Sequence, residues 1–412
     1  DTADIPDGFR DPAHTTVVYT PAVSDDNRIL SYFRQGGFNV VKRAVMLGQI
    51  TRHSRAICVA GSHGKTTVSS MVAHILHTSD VKCNAFLGGI LRNYGSNLIL
   101  DDSSPWSVIE ADEYDRSFHQ LNPYIAVITS TDPDHLDIYG DEEGYLEGFA
   151  HFTSLIAPGG TLILHTGLKL VPRTVEGVNT LTYSGAGDGD WHTANIRYDD
   201  GRLWFDIVHP DGVIRDVELG VPIAINIDNA VAAAAAAHLA GASDDNIRHA
   251  LRTFLGAKRR FEVWLRPEDT ACGTVLIDDY AHSPHEVEAS ITSVRKLYPG
   301  RELTVVFQPH LYTRTRDFAP EFAQALSHAD RVVLLEIYPA REKPIPGVTS
   351  QIIYDRLTSP ERLICPRKDL LNLIKNSNFE ILMTLGAANL DVLLPDIKDI
   401  LTAKTIGTQG PV

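Results

Sequence analysis

The stretch ICVAGSHGKTTVSSMVAHIL, residues 57–76, decides the fold class. The apolar run at its start is typical of a buried strand, and a glycine-containing loop, GSHGKTT, follows it. Beyond the loop, apolar residues recur at positions 68, 71, 72, 75 and 76, the spacing of a helix that buries one face. Strand, loop and helix together predict an α/β fold in which backbone N–H groups and the positive helix end surround an anion.

The loop departs from the usual phosphate-binding spelling, because Val59 stands where its first glycine is expected. Lys65 can nevertheless reach terminal phosphates, and Thr66 can place a hydroxyl on Mg²⁺. A glycine turn with a surface lysine is the alternative that the loop alone leaves open.

The same order of apolar run, polar cluster and helical pattern recurs along the chain. Further apolar runs span residues 106–110, 124–130, 274–277, 303–307 and 331–338. Such alternation is typical of parallel sheets covered on both faces, whose ligands bind at the carboxyl ends of the strands. Residues 182–222 differ, since their Asp-Gly turns predict an antiparallel addition. The alanine run that follows predicts a helix closed by Gly241.

Composition limits the class of protein. A chain of 412 residues predicts two or three domains, with divisions before Ala56 and near Arg266. The net charge of −15 and the lack of a long basic cluster argue against nucleic-acid binding. The four cysteines form no CxxC pair and are expected to be free thiols. The sequence contains no run of about 20 apolar residues, the length that would predict a membrane span. We therefore expect a cytoplasmic protein without membrane insertion.

The loop GSHGKTT resembles the shortened phosphate-binding loop of the Mur ligases. Other segments match that family in order: EADEYDRSF, DPDHLDIYG, FLGAKRRFE, DDYAHSPHEV, FQPHLYTRTRDF and PIPGVTS. Within the family, the set is similar to members that join L-alanine to UDP-N-acetylmuramate. The resemblance implies an ATP-dependent amide ligase, acting through an acyl phosphate, with Mg²⁺ or Mn²⁺.

The resemblance also implies a three-domain α/β architecture. Residues 1–54 would be the remnant of a Rossmann-like UDP-binding domain, 55–265 the P-loop ATP-binding domain, and 266–412 a Rossmann-like amino-acid-binding domain. Segments 17–27 and 42–48 resemble the latter part of the UDP-binding domain. The family's opening strand and glycine-rich loop are not found, so we expect this first domain to be incomplete.

Roles for individual residues follow from the same resemblance. The residues expected to bind ATP are Gly61, Ser62, His63, Gly64, Lys65, Thr66, Thr67, Asn226, Asn229, Arg260 and Asp279. The expected metal ligands are Thr66, Glu113 and His135, and the expected catalytic residues are Lys65, Arg260 and His135. Gly89 and Asn97 would contact the muramate, while Tyr280, His282 and Arg314 would form the amino-acid pocket.

Several of these residues have plainer interpretations. Glu110 and Glu113 could form a solvated acidic turn, and Asn226 with Asn229 could cap the alanine-rich helix. His135 could be a core or surface histidine, and Asp134 or Asp137 could support it or cap a helix. The basic residues 258–260 could form a solvated turn. The chain also departs from the family at Ile225, Ser130, Leu311 and Ala388-Asn389.

Three alternative functions remain at this stage. A sister ligase would join a whole tripeptide to UDP-N-acetylmuramate and share nearly all of these motifs. Folylpolyglutamate synthase shares the loop but not FQPHLYTRTRD. A non-catalytic nucleotide-binding relative would keep the fold, whereas a switch GTPase is disfavoured because the chain lacks a guanine-specifying N-K-x-D.

Overall fold

The N-terminal part of the chain forms a small parallel sheet. The structure, a computed structural model, describes residues 5–20, 23–199, 201–340 and 342–404. Strands β1 (Thr16–Tyr19) and β2 (Asn39–Lys42) pair in parallel, with helix α1 (Arg28–Gln35) between them and α2 (Arg43–Arg52) after them. Pro21 and Ala22, within the segment that resembles a UDP-binding domain, lie outside the described residues.

A ten-stranded sheet forms the central part, in the order β12-β11-β10-β9-β8-β7-β3-β6-β4-β5. The first five strands in the chain are β3 (Arg55–Ala60), β4 (Asn84–Leu91), β5 (Ser96–Ile99), β6 (Trp106–Glu110) and β7 (Pro123–Ile128). The other five are β8 (Thr161–His165), β9 (Asn179–Ser184), β10 (Trp191–Asp199), β11 (Arg202–His209) and β12 (Gly212–Glu218). β10, β11 and β12 pair antiparallel, which confirms the predicted addition. Asp200, which follows β10 in the sequence, lies outside the described residues.

The packing of helices on this sheet explains the apolar face that the sequence predicts for residues 68–76. The helices are α3 (Lys65–Thr78), α4 (Leu136–Tyr139), α5 (Glu142–Ser154), α6 (Ile225–Leu239) and α7 (Asp244–Thr253). The predicted face of α3 is buried, but so are Ser69, Ser70 and Ala73, because α6 and α7 pack against the helix as well. Alanine side chains let α6 come close to α3, and Gly241 follows the end of α6 with a φ of 106°.

The C-terminal part has a six-stranded sheet in the order β13-β14-β18-β15-β16-β17. Its strands are β13 (Glu262–Leu265), β14 (Val275–Asp279), β15 (Leu303–Phe307), β16 (Arg331–Leu334), β17 (Glu361–Ile364) and β18 (Ile381–Leu385). All neighbours pair in parallel except β13 and β14. Its helices are α8 (Pro284–Leu297), α9 (Tyr312–Asp317), α10 (Ala319–Leu326), α11 (Gln351–Tyr354), α12 (Leu370–Asn376) and α13 (Leu394–Thr402).

Two boundaries differ from the sequence expectation. β13 is hydrogen-bonded to β14, so the C-terminal sheet starts at Glu262 and not after residue 265. The apolar run 331–338 gives a strand only to Leu334, because the chain then leaves β15 and returns in a single bridge between Tyr338 and His310. The α/β class itself is confirmed. In the described ranges, no helix is long and apolar enough to cross a membrane.

Candidate functional site

The order of strands in the central sheet assembles the site. β3 lies between β7 and β6, and β4 is the next strand beyond β6. These four strands are parallel, so their carboxyl ends meet at one edge of the sheet. The loop after β3 is therefore flanked by Thr129 and Ser130 on one side and by Glu110 and Gly88 on the other.

Two glycines let the loop after β3 pack tightly against its neighbours. Gly61 has a φ of 143°, and a Cβ added there would lie 2.1 Å from Thr129 Oγ1. Gly64 has a φ of 83°, and its Cβ would lie 2.9 Å from Asn229 Oδ1. The His63 N–H also donates to Ser130 Oγ at 2.8 Å. A side chain at either glycine would be both strained and obstructed.

Lys65 points into the protein and not to bulk solvent. Its Nζ lies 2.8 Å from both carboxylate oxygens of Glu113 and donates to the Gly61 carbonyl at 2.6 Å. The Glu113 side chain is only 2% exposed, and burial raises its pKa although the lysine opposes that shift. The lysine of the loop and the acidic turn after β6 thus form one charged pair.

Glu110 connects the loop to β4. Thr66 Oγ1 donates to Glu110 Oε1 at 3.0 Å, and the Gly88 N–H donates to Glu110 Oε2 at 2.9 Å. A Cβ on Gly89 would lie 3.1 Å from Thr66 Cγ2. Glu110 and Glu113 therefore meet the adjacent residues Thr66 and Lys65, so the alternative of a solvated acidic turn is wrong.

His135 lies beside the same acidic turn but does not touch Glu113 directly. Its ring packs edge-on against Tyr114 with centroids 5.1 Å apart, and the Tyr139 hydroxyl donates to the Glu113 carbonyl at 2.6 Å. The His135 N–H donates to Asp134 Oδ1 at 2.7 Å. His135 itself is the N-cap residue of α4, and no side chain caps that helix, so the capping alternative for Asp134 and Asp137 is wrong.

These donors suit a hard divalent cation. A buried carboxylate, a hydroxyl on the adjacent loop and an imidazole nearby offer oxygen and nitrogen ligands on one side of the loop. The buried Glu113 carboxylate needs a cationic neighbour, which Lys65 supplies here. The side chains of Thr66, Glu113 and His135 are of the types that bind Mg²⁺ or Mn²⁺, and their role as ligands stays a prediction.

Asn226 and Asn229 lie inside α6 and do not cap it. The N-cap residue is Ala224, without a side-chain cap. Asn226 Nδ2 donates to the Val221 carbonyl, and Asn229 Nδ2 donates to Asn226 Oδ1. The capping alternative is wrong, and the contact of Asn229 with Gly64 brings the alanine-rich helix to the phosphate-binding loop.

In the basic turn after α7, Arg259 and Arg260 have different surroundings. Arg259 Nη1 and Nη2 donate to the Ala388 and Gly386 carbonyls at 2.5 and 2.6 Å, and its Nε donates to Asp278 at 3.3 Å. Arg260 is exposed, and among the described residues no hydrogen bond or ion pair joins it to the loop after β3. The structure therefore does not bring Arg260 to Lys65.

The expected amino-acid pocket lies at the carboxyl ends of β14 and β15. Tyr280 and His282 pack with ring centroids 5.1 Å apart. Burial, helped by the nearby Arg314 guanidinium, lowers the pKa of His310. Among the described residues, Arg314 Nη1 is buried without a hydrogen-bond partner. A buried guanidinium nitrogen of this kind is suited to a carboxylate.

Asp279 and Asn97 are held by nearby groups. The Asp279 carboxylate accepts hydrogen bonds from Ser290 Oγ and from the Phe261 N–H, and burial raises its pKa. Asn97 Nδ2 donates weakly to the Leu87 carbonyl, at 3.4 Å, within the β4–β5 hairpin. The structure places Asp279 beside the connection between the two sheets, while its contact with a ribose stays a prediction.

A cavity of about 420 Å³ opens between the N-terminal part and the acidic turn. The lining residues come from both sides: Thr20, Lys42, Arg43, Ala44 and Leu47 from one, and Glu110, Asp112, Tyr114, Ser117, Phe118 and Leu121 from the other. It lies next to the Glu110 carboxylate that holds Thr66.

Comparison with known proteins identifies the family. Residues 59–237 match the Mur ligase middle domain, and residues 259–378 match the Mur ligase, glutamate ligase domain. The chain belongs to the Mur ligase family. The start of the second match at residue 259 agrees with the position of β13 in the C-terminal sheet.

Three Mur ligases illustrate the similarity. The chain is 54% identical to UDP-N-acetylmuramate–L-alanine ligase of Parabacteroides distasonis, over 96% of this chain and 85% of that protein. It is 52% identical to the protein of the same name from Phocaeicola vulgatus, over 97% and 86%. A crystal structure of UDP-N-acetylmuramate-alanine ligase from Thermotoga maritima matches with a TM-score of 0.75 and 25% identity, over 93% and 84%.

Sequence reasoning missed several residues that build this Mur ligase site. Arg92 Nε lies 3.0 Å from Glu262 Oε1, and Thr129 closes over Gly61. Tyr145 was also missed, and its hydroxyl shares a hydrogen bond of 2.9 Å with that of Ser62, a predicted residue. The double glycine at residues 88–89 could have indicated close packing in β4. Thr129 and Arg92 contact residues that are distant in the sequence, so no local pattern indicates those contacts.

Proposed function

We propose that this Mur ligase joins L-alanine to UDP-N-acetylmuramate at the expense of ATP. The observation that carries the proposal is the 54% identity, over almost the whole chain, to a protein whose name states that reaction. The local geometry is consistent with it, because the glycine-containing loop after β3, the buried Lys65–Glu113 ion pair and the unpartnered Nη1 of Arg314 are present among the described residues of one chain.

In the proposed first step, a carboxylate oxygen of the muramate attacks the γ-phosphorus of ATP. The bond from that phosphorus to the ADP oxygen breaks, giving an acyl phosphate and ADP. Loop N–H groups and the N-terminal end of α3 would bind the phosphates, and Lys65 would turn from Glu113 towards them. Mg²⁺, held by Thr66, Glu113 and His135, would neutralise phosphate charge.

In the proposed second step, the amine of L-alanine attacks the acyl carbon. The carbon–oxygen bond to phosphate breaks, the amide forms, and the amine loses a proton to the surrounding solution. Arg314 would bind the alanine carboxylate, with Tyr280 and His282 beside it. Gly89 and Asn97 would lie on the muramate side, since Gly89 abuts Thr66.

Arg260 requires a movement in this proposal. It lies on the connection between the two sheets and near Asp279, whose pKa its charge lowers slightly against the effect of burial. We propose that the C-terminal part rotates when ATP binds and that Arg260 then contacts the transferring phosphoryl group. Asp279, Asn226 and Asn229 would complete the ATP site. Because the reaction consumes ATP, we also propose a cytoplasmic location.

The test is phosphate release from ATP with UDP-N-acetylmuramate and one candidate acceptor at a time. We expect release with L-alanine that needs both substrates and a divalent cation, and a product whose mass equals UDP-N-acetylmuramate plus one alanine residue. Release with a murein tripeptide and not with L-alanine would favour the sister ligase. Nucleotide binding without release under any combination would overturn the proposal in favour of a non-catalytic relative.

A further inference from the structure

A cluster of two histidines and one aspartate lies on the antiparallel addition of the central sheet. His209 ends β11, Asp211 is in the turn to β12, and His238 is in the last turn of α6. Their side chains can each offer one ligand atom, and these atoms lie within 4.8 Å of one another. We propose that His209, Asp211 and His238 form a binding site for a Zn²⁺-class transition metal ion, distinct from the site for ATP.

Unpartnered ring nitrogens point to a ligand at this place. The His209 side chain is 94% buried, since only 6% is exposed, yet neither of its nitrogens has a hydrogen-bond partner among the described residues. His209 Nε2 faces the turn, because a Cβ on Gly212 would lie 3.7 Å from it. A buried polar group without a partner is costly, and a metal ion would satisfy it.

The spacing of the ligands is close to what zinc requires. Zn²⁺ bound tetrahedrally at about 2.0–2.1 Å places neighbouring ligand atoms roughly 3.3 Å apart. His238 Nε2 and Asp211 Oδ2 are already 3.7 Å apart. The Asp211 side chain is 79% exposed, so its carboxylate has room to move towards the two histidines.

A ring nitrogen of His238 also lacks a partner in this cluster. His238 Nδ1 lies 3.7 Å from Asp244 Oδ1 at the start of α7, beyond hydrogen-bond distance, and has no hydrogen-bond partner among the described residues. Trp191 stacks on His209 with centroids 4.7 Å apart and fixes the second ring. Two imidazoles and one carboxylate, with a fourth position open to water, suit Zn²⁺, Co²⁺ or Ni²⁺ better than Mg²⁺.

The position of the cluster indicates a structural role. The ion would connect the β11–β12 turn to the end of α6, whose other end carries Asn229 against Gly64. The two sites are separated by nine residues of helix, roughly 14 Å along its axis. We therefore expect the ion to stabilise the fold around α6 without taking part in the reaction.

The test uses the full chain with Cys272→Ser, which removes the exposed thiol, in excess Mg²⁺ so that oxygen-rich sites are filled. We expect calorimetry to show one Zn²⁺ per chain and added Zn²⁺ to raise the Tm. Asp211→Asn should weaken binding at least about tenfold, because even supporting residues of metal sites cost that much. His238→Gln should abolish the binding and the Tm shift.

Matched controls keep the test decisive. Asp211→Asn retains a favourable turn sequence before Gly212, so the variant chain should still fold. His328→Gln removes an exposed histidine that pairs with Glu288 and should bind Zn²⁺ like the parent. Absence of stoichiometric binding by the parent, or equal binding by the parent and both cluster variants, would overturn the proposal; the latter would mean adventitious zinc only.

Discussion

The phosphate-binding half and the amino-acid half of the site differ in how far they are assembled. In the central sheet, Lys65, Thr66, Glu110 and Glu113 are already joined by hydrogen bonds and an ion pair. In the C-terminal sheet, Arg314 keeps a buried nitrogen without a partner among the described residues. In the proposed reaction, the acidic turn would hold the loop in shape before ATP binds, whereas the pocket around Arg314 would acquire its partner only with substrate.

The largest effect is expected from Lys65→Ala, which breaks the assembled half. Loss of a group that stabilises transferring phosphate is expected to lower kcat by on the order of 10²–10³ or more. The fold should survive, although Glu113 loses its partner and its pKa rises further. Turnover and circular dichroism measure the two effects separately.

The matched control is Lys169→Ala, which removes an exposed lysine paired with Glu142. An exposed pair of this kind contributes little, so activity and Tm should stay close to those of the parent. Near-normal turnover of Lys65→Ala would contradict the assignment of the loop.

A smaller effect is expected from Arg314→Lys, at the pocket where a guanidinium nitrogen has no partner among the described residues. Lysine keeps the charge but cannot present the planar fork, so the KM for L-alanine should rise about 10- to 100-fold, since a hydrogen bond to a charged group contributes about 1.5–3 kcal/mol. The KM for ATP should not change. Steady-state kinetics with each substrate varied in turn gives both values.

Arg316→Lys is the control on the same helix, because Arg316 is exposed and pairs with Asp317. Equal KM values for L-alanine in both variants would remove Arg314 from the amino-acid pocket.

The smallest effect concerns Asp278, the buried carboxylate that Arg259 contacts. Burial raises the pKa of Asp278 to about 6, against the opposing effects of Thr384 and Arg259. The folded state therefore gains a proton at a pH where the unfolded state, near 3.8, has not. Stability should rise as pH falls from about 7 to about 5.

Asp278→Asn isolates this contribution. The Tm of the parent minus that of the variant should increase over the same fall in pH, as thermal unfolding can measure. Asp396→Asn, at an exposed position, controls for the loss of one charge. A difference that stays constant with pH would show that Asp278 does not titrate in this window.

Local sequence patterns predicted those parts of the fold that depend on interactions between residues close together in the sequence. The strand, loop and helix around Lys65 follow from apolar spacing and glycine, and the polar residues after β6 lie where parallel strands require. The contacts of Thr129 with Gly61 and of Asn229 with Gly64 could not be predicted, because each joins residues more than 60 positions apart. No periodic signal connects such pairs.

The surroundings of single residues on turns are harder still to predict from the sequence. Arg259 and Arg260 are adjacent, yet in a turn where Arg259 has a φ of 60° one side chain contacts the C-terminal part and the other is exposed. β13 has four residues, too few to show a period, and only its pairing with β14 reveals its sheet. His209 and His238 come from different elements, so their proximity required the structure.

Residues 258–259 connect the two sheets, and side chains beyond them lie at different distances from this connection. The Lys258 N–H donates a hydrogen bond to the Ile90 carbonyl of the central sheet, whereas the Arg259 guanidinium donates to the Gly386 carbonyl, directly after β18 of the C-terminal sheet. Arg260 is within roughly 7 Å of this pivot, whereas β15, which leads to Arg314, is three strands from β13, roughly 14 Å away. A given angular turn about this point would therefore carry Arg314 through an arc about twice as long as that of Arg260, whereas Tyr280, whose N–H donates to the Arg259 carbonyl, would stay near the pivot.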